Sequence, residues 1–217
     1  HEIHDRQAHA GRWTVGLAER PAADGQPGMQ LSKDSVFVVT GAAGSIVSAI
    51  TADLAEHSGG TFYLLDLVPR PDPNDPDIRK FSVDRDGLRH DIFERRKATG
   101  ERVTPAMVER DIAGLERAHA ALTAIEAVEK AGGVAHYISA NLLDADAVAE
   151  AIDTVRANHG HIDVLLHAGG LEISKRLRDK GAAEYDLVFD VKSDGWFALL
   201  HAIGDLPLGA TVAFSSI

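Results

Sequence analysis

Apolar residues in this chain come in short unbroken runs, each closed by a turn signal and most followed by a stretch at helical spacing. Val36-Phe-Val-Val-Thr40 is the first such run. Consecutive apolar residues with no polar alternation read as a strand buried on both faces, the habit of a parallel sheet. Ser45 to Ala55 then runs at helical spacing. The same pairing recurs. Strands are predicted at Gly59–Asp66, Val134–Ser139, Ile162–His167 and Ala210–Phe214, and helices at 84–98, 105–131, 145–158 and 182–203. Strand and helix alternating at these lengths give right-handed crossovers and an α/β, doubly wound parallel sheet of order 3-2-1-4-5. Asp144 is placed to cap the helix that follows it.

Residues 69–131 break the rhythm. Pro69, Pro71, Pro73 and Pro76 predict a stiff, non-helical exit from the second strand. Two helical stretches follow where one crossover helix would suffice, so a helical arm is inserted here. Thr104 reads as the N-cap of the second stretch, with Pro105 at its first position. Leu115, Ala118, Leu122, Ile125 and Val128 form its expected apolar stripe, and Gly132-Gly133 stops it. The many charges of the arm (Arg85, Arg89, Glu94, Arg95, Arg96 and Lys97) read as a solvated face or as a surface for a partner domain. Residues 1–33 read as a strand at Gly11–Leu17 and a Pro/Gly-rich linker at 21–28 that come from a preceding region; residues 34–217 form the sheet domain. His1, Glu2 and His4 lack the spacing of a zinc-binding helix and read as a tail.

The turn between the first strand and helix carries Gly41, Ala42, Ala43 and Gly44. Strand, glycine turn and helix form the first unit of a dinucleotide-binding (Rossmann) fold. There the glycines let the backbone approach a pyrophosphate, and the N–H groups of the helix start face its charge. The match is incomplete, since Val47 stands where a third glycine would allow close helix–strand contact. Asp66 closes the second strand, where an acid accepts hydrogen bonds from the adenosine ribose. Ala168-Gly169-Gly170 after the fourth strand is a second close-approach loop. In an open sheet of this order the ligand crevice lies at the carboxyl ends of strands one and four, between the two glycine loops.

Charge and composition narrow the partners. A formal charge of −11 and a pI near 5.4 argue against nucleic acid and against acidic membrane surfaces. The chain holds no cysteine, so thiolate chemistry and disulfides are excluded and a cytoplasmic setting is expected. Its apolar runs fall short of the ~20 residues of a membrane span. No metal site is predicted. The chain starts without methionine and stops close to a strand, which reads as a piece of something longer.

Taken together, Thr40-Gly41-Ala-Ala-Gly44-Ser45-Ile46, Asn141-Leu142-Leu-Asp144, His167-Ala168-Gly169-Gly170, Val188-Phe-Asp-Val-Lys192 and Phe214-Ser215-Ser216 resemble the short-chain dehydrogenase/reductase superfamily. More narrowly they resemble the ketoreductase domains of polyketide and polyunsaturated-fatty-acid synthases. Each motif is loose alone; five in this order are specific. Lysine at 192, where most of the superfamily has asparagine, and the helical arm both point to the synthase branch. The resemblance implies reduction of β-ketoacyl chains carried on an acyl carrier protein, beside neighbouring synthase domains. It implies cofactor contacts from Gly41, Ala43, Gly44, Ser45, Ile46, Asp66, Asn141, Leu142, Ala168, Gly169 and Gly170. Asn141 departs from the usual aspartate at its place. Ser216 would bind the substrate oxygen, and Lys192 would supply positive charge near the proton donor. That donor is expected to be a tyrosine past Ser216, beyond the 217 residues, so this chain alone is expected to be inactive.

For the cofactor, Asp66 favours NAD(H), whereas the resemblance favours NADP(H), with Leu67 where an arginine is usual and Arg70 close enough to compensate. The expectation is NADP(H), with NAD(H) as the alternative. Competing functions are an extended-type nucleotide-sugar epimerase or dehydratase, and a non-catalytic Rossmann half-domain. An unpaired edge at the fifth strand predicts poor solubility.

Overall fold

The computed structural model describes residues 28–214. Five strands, β1 (Val36–Thr40), β2 (Thr61–Asp66), β3 (Val134–Ser139), β4 (Ile162–His167) and β5 (Leu208–Ala213), form one parallel sheet of order β3-β2-β1-β4-β5. Helices α1 (Ser45–Ser58) and α5 (Ala145–His159) follow β1 and β3, and α6 (Ala182–Ile203) precedes β5. Three helices, α2 (Pro76–Val83), α3 (Arg85–Ala98) and α4 (Pro105–Lys130), separate β2 from β3. The doubly wound architecture and its strand order are those the hydrophobic pattern dictates. The expected strand at 11–17 and the linker at 21–28 fall outside the described residues, apart from Gly28.

Alternation along each strand builds two cores. Phe37, Val39, Phe62 and Leu64 point to the face covered by α1 and α4. Val36, Val38, Tyr63 and Leu65 point to the face covered by α5 and α6. Both sets are at most 1% exposed, which explains why the runs carry no polar alternation. Phe37 and Phe62 stack across β1 and β2 at 4.2 Å.

Local chemistry sets most boundaries. Gly59 and Gly160 end α1 and α5 in the left-handed region, at φ 64° and 71°, where a side chain would be strained. Asp144 caps α5 by accepting from the Asp146 and Ala147 N–H groups. Thr104 occupies the N-cap of α4 with extended backbone, but its side chain makes no capping bond.

Three expectations for the arm are corrected. The proline-rich stretch is not wholly non-helical: Pro76 opens α2, its missing N–H costing nothing at a first helical position, and Asp75 caps that helix. On α4 the fully buried residues are Val108, Ile112, Ala121, Ala124, Ile125 and Val128, while Leu115, Ala118 and Leu122 are only partly covered. The small side chains Ala121 and Ala124 lie in the core that α4 shares with Ala55 of α1. The arm's arginines are also not simply solvated. Leu88, Ile92, Val108 and Ile112 form a satellite core, and ion pairs ring it. Arg96 bonds Asp111 through two nitrogens, at 2.6 and 3.0 Å, and Arg95, Arg89 and Arg85 pair with Asp77, Glu109 and Glu116. Exposed pairs contribute at most about 1 kcal/mol each, so the satellite core rather than the charges holds the arm together.

No helix among the described residues is long and apolar enough to cross a membrane.

Candidate active site

The register brings the carboxyl ends of the strands to one level. Thr40 lies beside Leu65 on one side and His167 on the other, Asp66 beside Ser139, and His167 beside Ala213. A crevice of about 550 Å³ opens at this edge. Gly41, Ala43, Gly44, Ser45, Asp66, Asn141, Leu142, Ala168, Gly169 and Gly170 all line it, so ten of the expected cofactor-contacting residues come together. Ile46 does not line it; its side chain is 70% exposed on the first turn of α1. Ser216 lies outside the described residues.

The two glycine loops meet because neither carries a side chain at the contact. Gly41 has φ 69°, and a Cβ on it would sit 2.8 Å from the Ala168 carbonyl oxygen and 2.9 Å from the Gly169 nitrogen. A side chain on Gly170 would meet Cε of Lys192 at 2.7 Å. Helix α1 starts at Gly44 with no side-chain cap and no acid in its first turn. The N–H groups of Ser45, Ile46 and Val47 therefore lack an intrahelical acceptor, and a positive helix end faces the crevice. Val47, in place of a third glycine, packs into the core at 6% exposure and also lines the crevice.

Asp66 ties this loop to the second strand. One carboxylate oxygen accepts from the Ala43 N–H at 2.8 Å and the other from the Val68 N–H at 3.1 Å. Each oxygen keeps a lone pair for a ribose hydroxyl. Asn141 accepts from the Leu143 N–H through Oδ1, so its amide NH₂ remains to donate. A phosphate-facing helix start, a carboxylate fixed beside it and a bare glycine floor fit a dinucleotide.

A buried polar chain, not anticipated from the sequence, joins the loops. Thr40 Oγ1 accepts from the Ala168 and Gly169 N–H groups, at 3.2 and 3.1 Å, and lies 3.0 Å from His167 Nδ1. His167 Nε2 lies 3.2 Å from the Lys192 carbonyl. A carbonyl only accepts, so Nε2 carries the proton and Nδ1 receives the Thr40 hydroxyl hydrogen. Burial, offset in part by the hydrogen bond to the Lys192 carbonyl, holds the imidazole below the ordinary histidine range and keeps it neutral. Its one sequence signal is a polar residue closing each of two largely apolar strands. Thr40→Val keeps the shape and strands these groups without partners. The expected loss is about 2–4 kcal/mol, read as a lower urea midpoint, with Thr40→Ser losing only about 1 kcal/mol for its methyl. Equal stability of Thr40→Val and the unaltered chain would contradict this network.

Lys192 donates to the Phe214 carbonyl at 2.8 Å, and burial draws its ammonium below the usual lysine range. It stands beside Gly170, and its partner Phe214 directly precedes Ser215-Ser216 in the chain. None of the three tyrosines lines the crevice. Tyr63 is fully buried and accepts from Asn158. Tyr137 donates to the Val68 carbonyl, and burial together with the Asp66 charge pushes its hydroxyl well above the usual range. Tyr185 is 56% exposed and stacks on Phe189.

The helical arm also reaches the site. Ala113, Glu116, Arg117 and Ala120, one face of α4 by their spacing, form its outer wall. Among the described residues no group of three or more potential metal ligands is found.

Comparison with known proteins places this geometry. The KR domain family model matches residues 35–217. A polyunsaturated fatty acid synthase protein of Thraustochytrium sp. (strain ATCC 26185 / S-3) is 28% identical over 206 residues, covering 89% of this chain and 7% of that protein. An N-terminal ketoreductase from the macrolactin assembly line superposes with a TM-score of 0.61 at 18% identity, over 88% of this chain and 30% of that one. Carveol dehydrogenase from Mycobacterium avium in complex with NAD superposes at 0.51 and 13% identity, over 80% and 49%. The chain thus spans a small part of that synthase protein and less than half of either solved structure. A five-stranded Rossmann sheet with two facing glycine loops, and a family match over all but the first 34 residues, lead to one assignment: the chain belongs to the ketoreductase (KR) domain family, within the short-chain dehydrogenase/reductase fold.

Proposed function

We propose that this chain is the nucleotide-binding portion of a ketoreductase that reduces β-ketoacyl groups, carried on an acyl carrier protein, inside a cytoplasmic multienzyme synthase. The observation that carries this reading is the pairing of the cradle with Lys192. Gly41, Gly44 and Asp66 line the crevice, and Lys192, which does not itself line it, stands beside the lining residue Gly170. A nicotinamide cofactor, when bound, supplies hydride. The chain's own residues do the rest. The start of α1 holds the pyrophosphate charge, and Asp66 accepts from the hydroxyl that the adenosine ribose keeps free. Gly169 and Gly170 keep the floor open for the nicotinamide half. Lys192 places a positive charge near the reacting carbonyl, which favours negative charge developing on its oxygen and lowers the pKa of a neighbouring proton donor. Ser216 is assigned the hydrogen bond to that oxygen. NADP(H) is the proposed cofactor. Lys192 and the ketoreductase match weigh against the epimerase and half-domain readings.

Because none of the three tyrosines reaches the crevice, the proton donor is assigned to a residue beyond these 217. Titration of NADPH and NADH into the 217-residue chain, followed by cofactor fluorescence, is expected to give saturable binding. The same protein is expected to give no reduction of a β-ketoacyl thioester. A chain that binds neither dinucleotide overturns the cofactor reading, and measurable turnover overturns the assignment of the donor.

A further inference from the structure

We infer that Arg117, on the helical arm, reads the 2′-phosphate of the adenosine ribose and so selects NADPH over NADH. This rests on the ketoreductase reading of the crevice.

The fold fixes where Arg117 sits. Helix α4 leads directly into β3 and packs back along the α1 face of the sheet, so its residues climb as β3 descends. From Lys130 back to Arg117 the helix rises by about 20 Å at 1.5 Å per residue. The six residues of β3 span about 20 Å at 3.3 Å each. Arg117 therefore stands level with the end of β3, where Ser139 pairs with Asp66. Consistently, Arg117, Asp66 and Leu67 line the same crevice. Asp66 marks the ribose, so Arg117 lies on the α4 side of that sugar.

The surrounding charges leave this guanidinium available. Among the described residues Arg117 has no carboxylate within salt-bridge distance, whereas its neighbour Glu116 is held by Arg85 at 3.1 Å. Leu67, the first residue past Asp66, offers no charge, and Arg70 does not line the crevice. The Asp66 carboxylate is directed by two backbone N–H groups, each taking one oxygen. An anionic group entering beside Asp66 thus finds one cation among the lining residues. It is carried on a helix that the satellite core fixes. A planar guanidinium matches a phosphate in two parallel hydrogen bonds.

Calorimetric titration of the 217-residue chain with NADPH, NADH, 2′,5′-ADP and 5′-AMP tests the assignment. Arg117→Ala is expected to weaken NADPH and 2′,5′-ADP about tenfold or more, with NADH and 5′-AMP within about twofold. Retained NADH binding shows that the variant is folded. Arg117→Lys keeps part of the difference, and Arg70→Ala leaves all four ligands unchanged. Equal losses for NADPH and NADH in Arg117→Ala, or no loss, overturn the inference. A preference of the unaltered chain for NADH overturns it while leaving the ketoreductase reading intact. Failure of the unaltered chain to bind any of the four overturns both.

Discussion

Gly41→Val is expected to abolish dinucleotide binding and to lower the melting temperature by about 5–15 °C. Two costs add. Gly41 has φ 69°, a region that costs a side-chain-bearing residue about 1–2 kcal/mol. Its Cβ would also lie 2.8–2.9 Å from backbone atoms of Ala168 and Gly169. Backbone cannot rotate away as a side chain can, and Thr40 Oγ1 anchors both N–H groups of that loop. Overpacking of this kind costs about 1–3 kcal/mol, and at roughly 2–4 °C per kcal/mol in a domain of this size the sum gives the expected shift. Binding suffers more than stability, because the two loops must part at the place where the pyrophosphate needs both. Gly100 is the control. It has φ 81° with nothing within 4 Å of an added Cβ, so Gly100→Ala carries the conformational cost alone and leaves binding untouched. Unaltered NADPH affinity in Gly41→Val would show that the loop contact does not shape the cradle.

The parts of this site that the sequence makes legible are those written in single short segments. Val36–Thr40 is apolar throughout because both faces of β1 are covered, and the glycines follow it because the chain must turn sharply under another loop. Asp66 could be singled out because it closes such a segment, and Lys192 because the resemblance to ketoreductases marks it. The exposed side chain of Ile46, the place of Arg117 and the Thr40–His167 pair are not legible for a common reason. A helix residue with helical spacing looks the same whether its face meets solvent or a crevice wall. Ile46, in the first turn of α1, points to solvent, and Arg117, on an arm dense with charge, points to the wall. The hydrogen bond from Thr40 to His167 spans 127 residues and exists only because β1 pairs with β4. The buried face of α4 was displaced from the expected stripe because apolar spacing fixes a face only where the covering surface is uniform. Here the first half of α4 covers the satellite core and the second half covers α1, and the two contacts favour different residues.

Acidification from pH 7.5 to pH 5 is expected to destabilise the domain through its buried histidines. His167 and His159 both sit below the ordinary histidine range. For His167 the dominant cause is burial, at 2% exposure, with the Lys192 charge adding to it. For His159 it is again burial, followed by repulsion from His161 and His136. His136 and His159 flank Tyr63, whose ring stacks on His136 at 4.7 Å and meets the edge of His159 at 5.7 Å, and His161 lies 6.5 Å from His159. A depressed folded-state value means that below pH 6.5 the unfolded chain binds more protons than the native one. Stability is therefore complete above that pH and falls as pH drops, by at most about 1.4 kcal/mol per pH unit for each histidine. His57 is raised instead, by its bonds to Asp53, but it is exposed to solvent and screened. The depressed carboxylates Asp91 and Glu184 lose their contribution only as pH falls below the ordinary carboxylate range, outside this window. Against a total of about 5–15 kcal/mol, even half of the histidine ceiling is a substantial share. Thermal unfolding at half-unit steps of pH is expected to show a melting temperature that falls as pH drops from 7 to 5. His159→Gln is expected to flatten the slope. A melting temperature constant across that range would show that neither imidazole is held neutral by the fold. The remaining acid sensitivity would then belong to pairs such as Lys80–Asp91 in the arm, whose carboxylate is held below the ordinary range by the lysine.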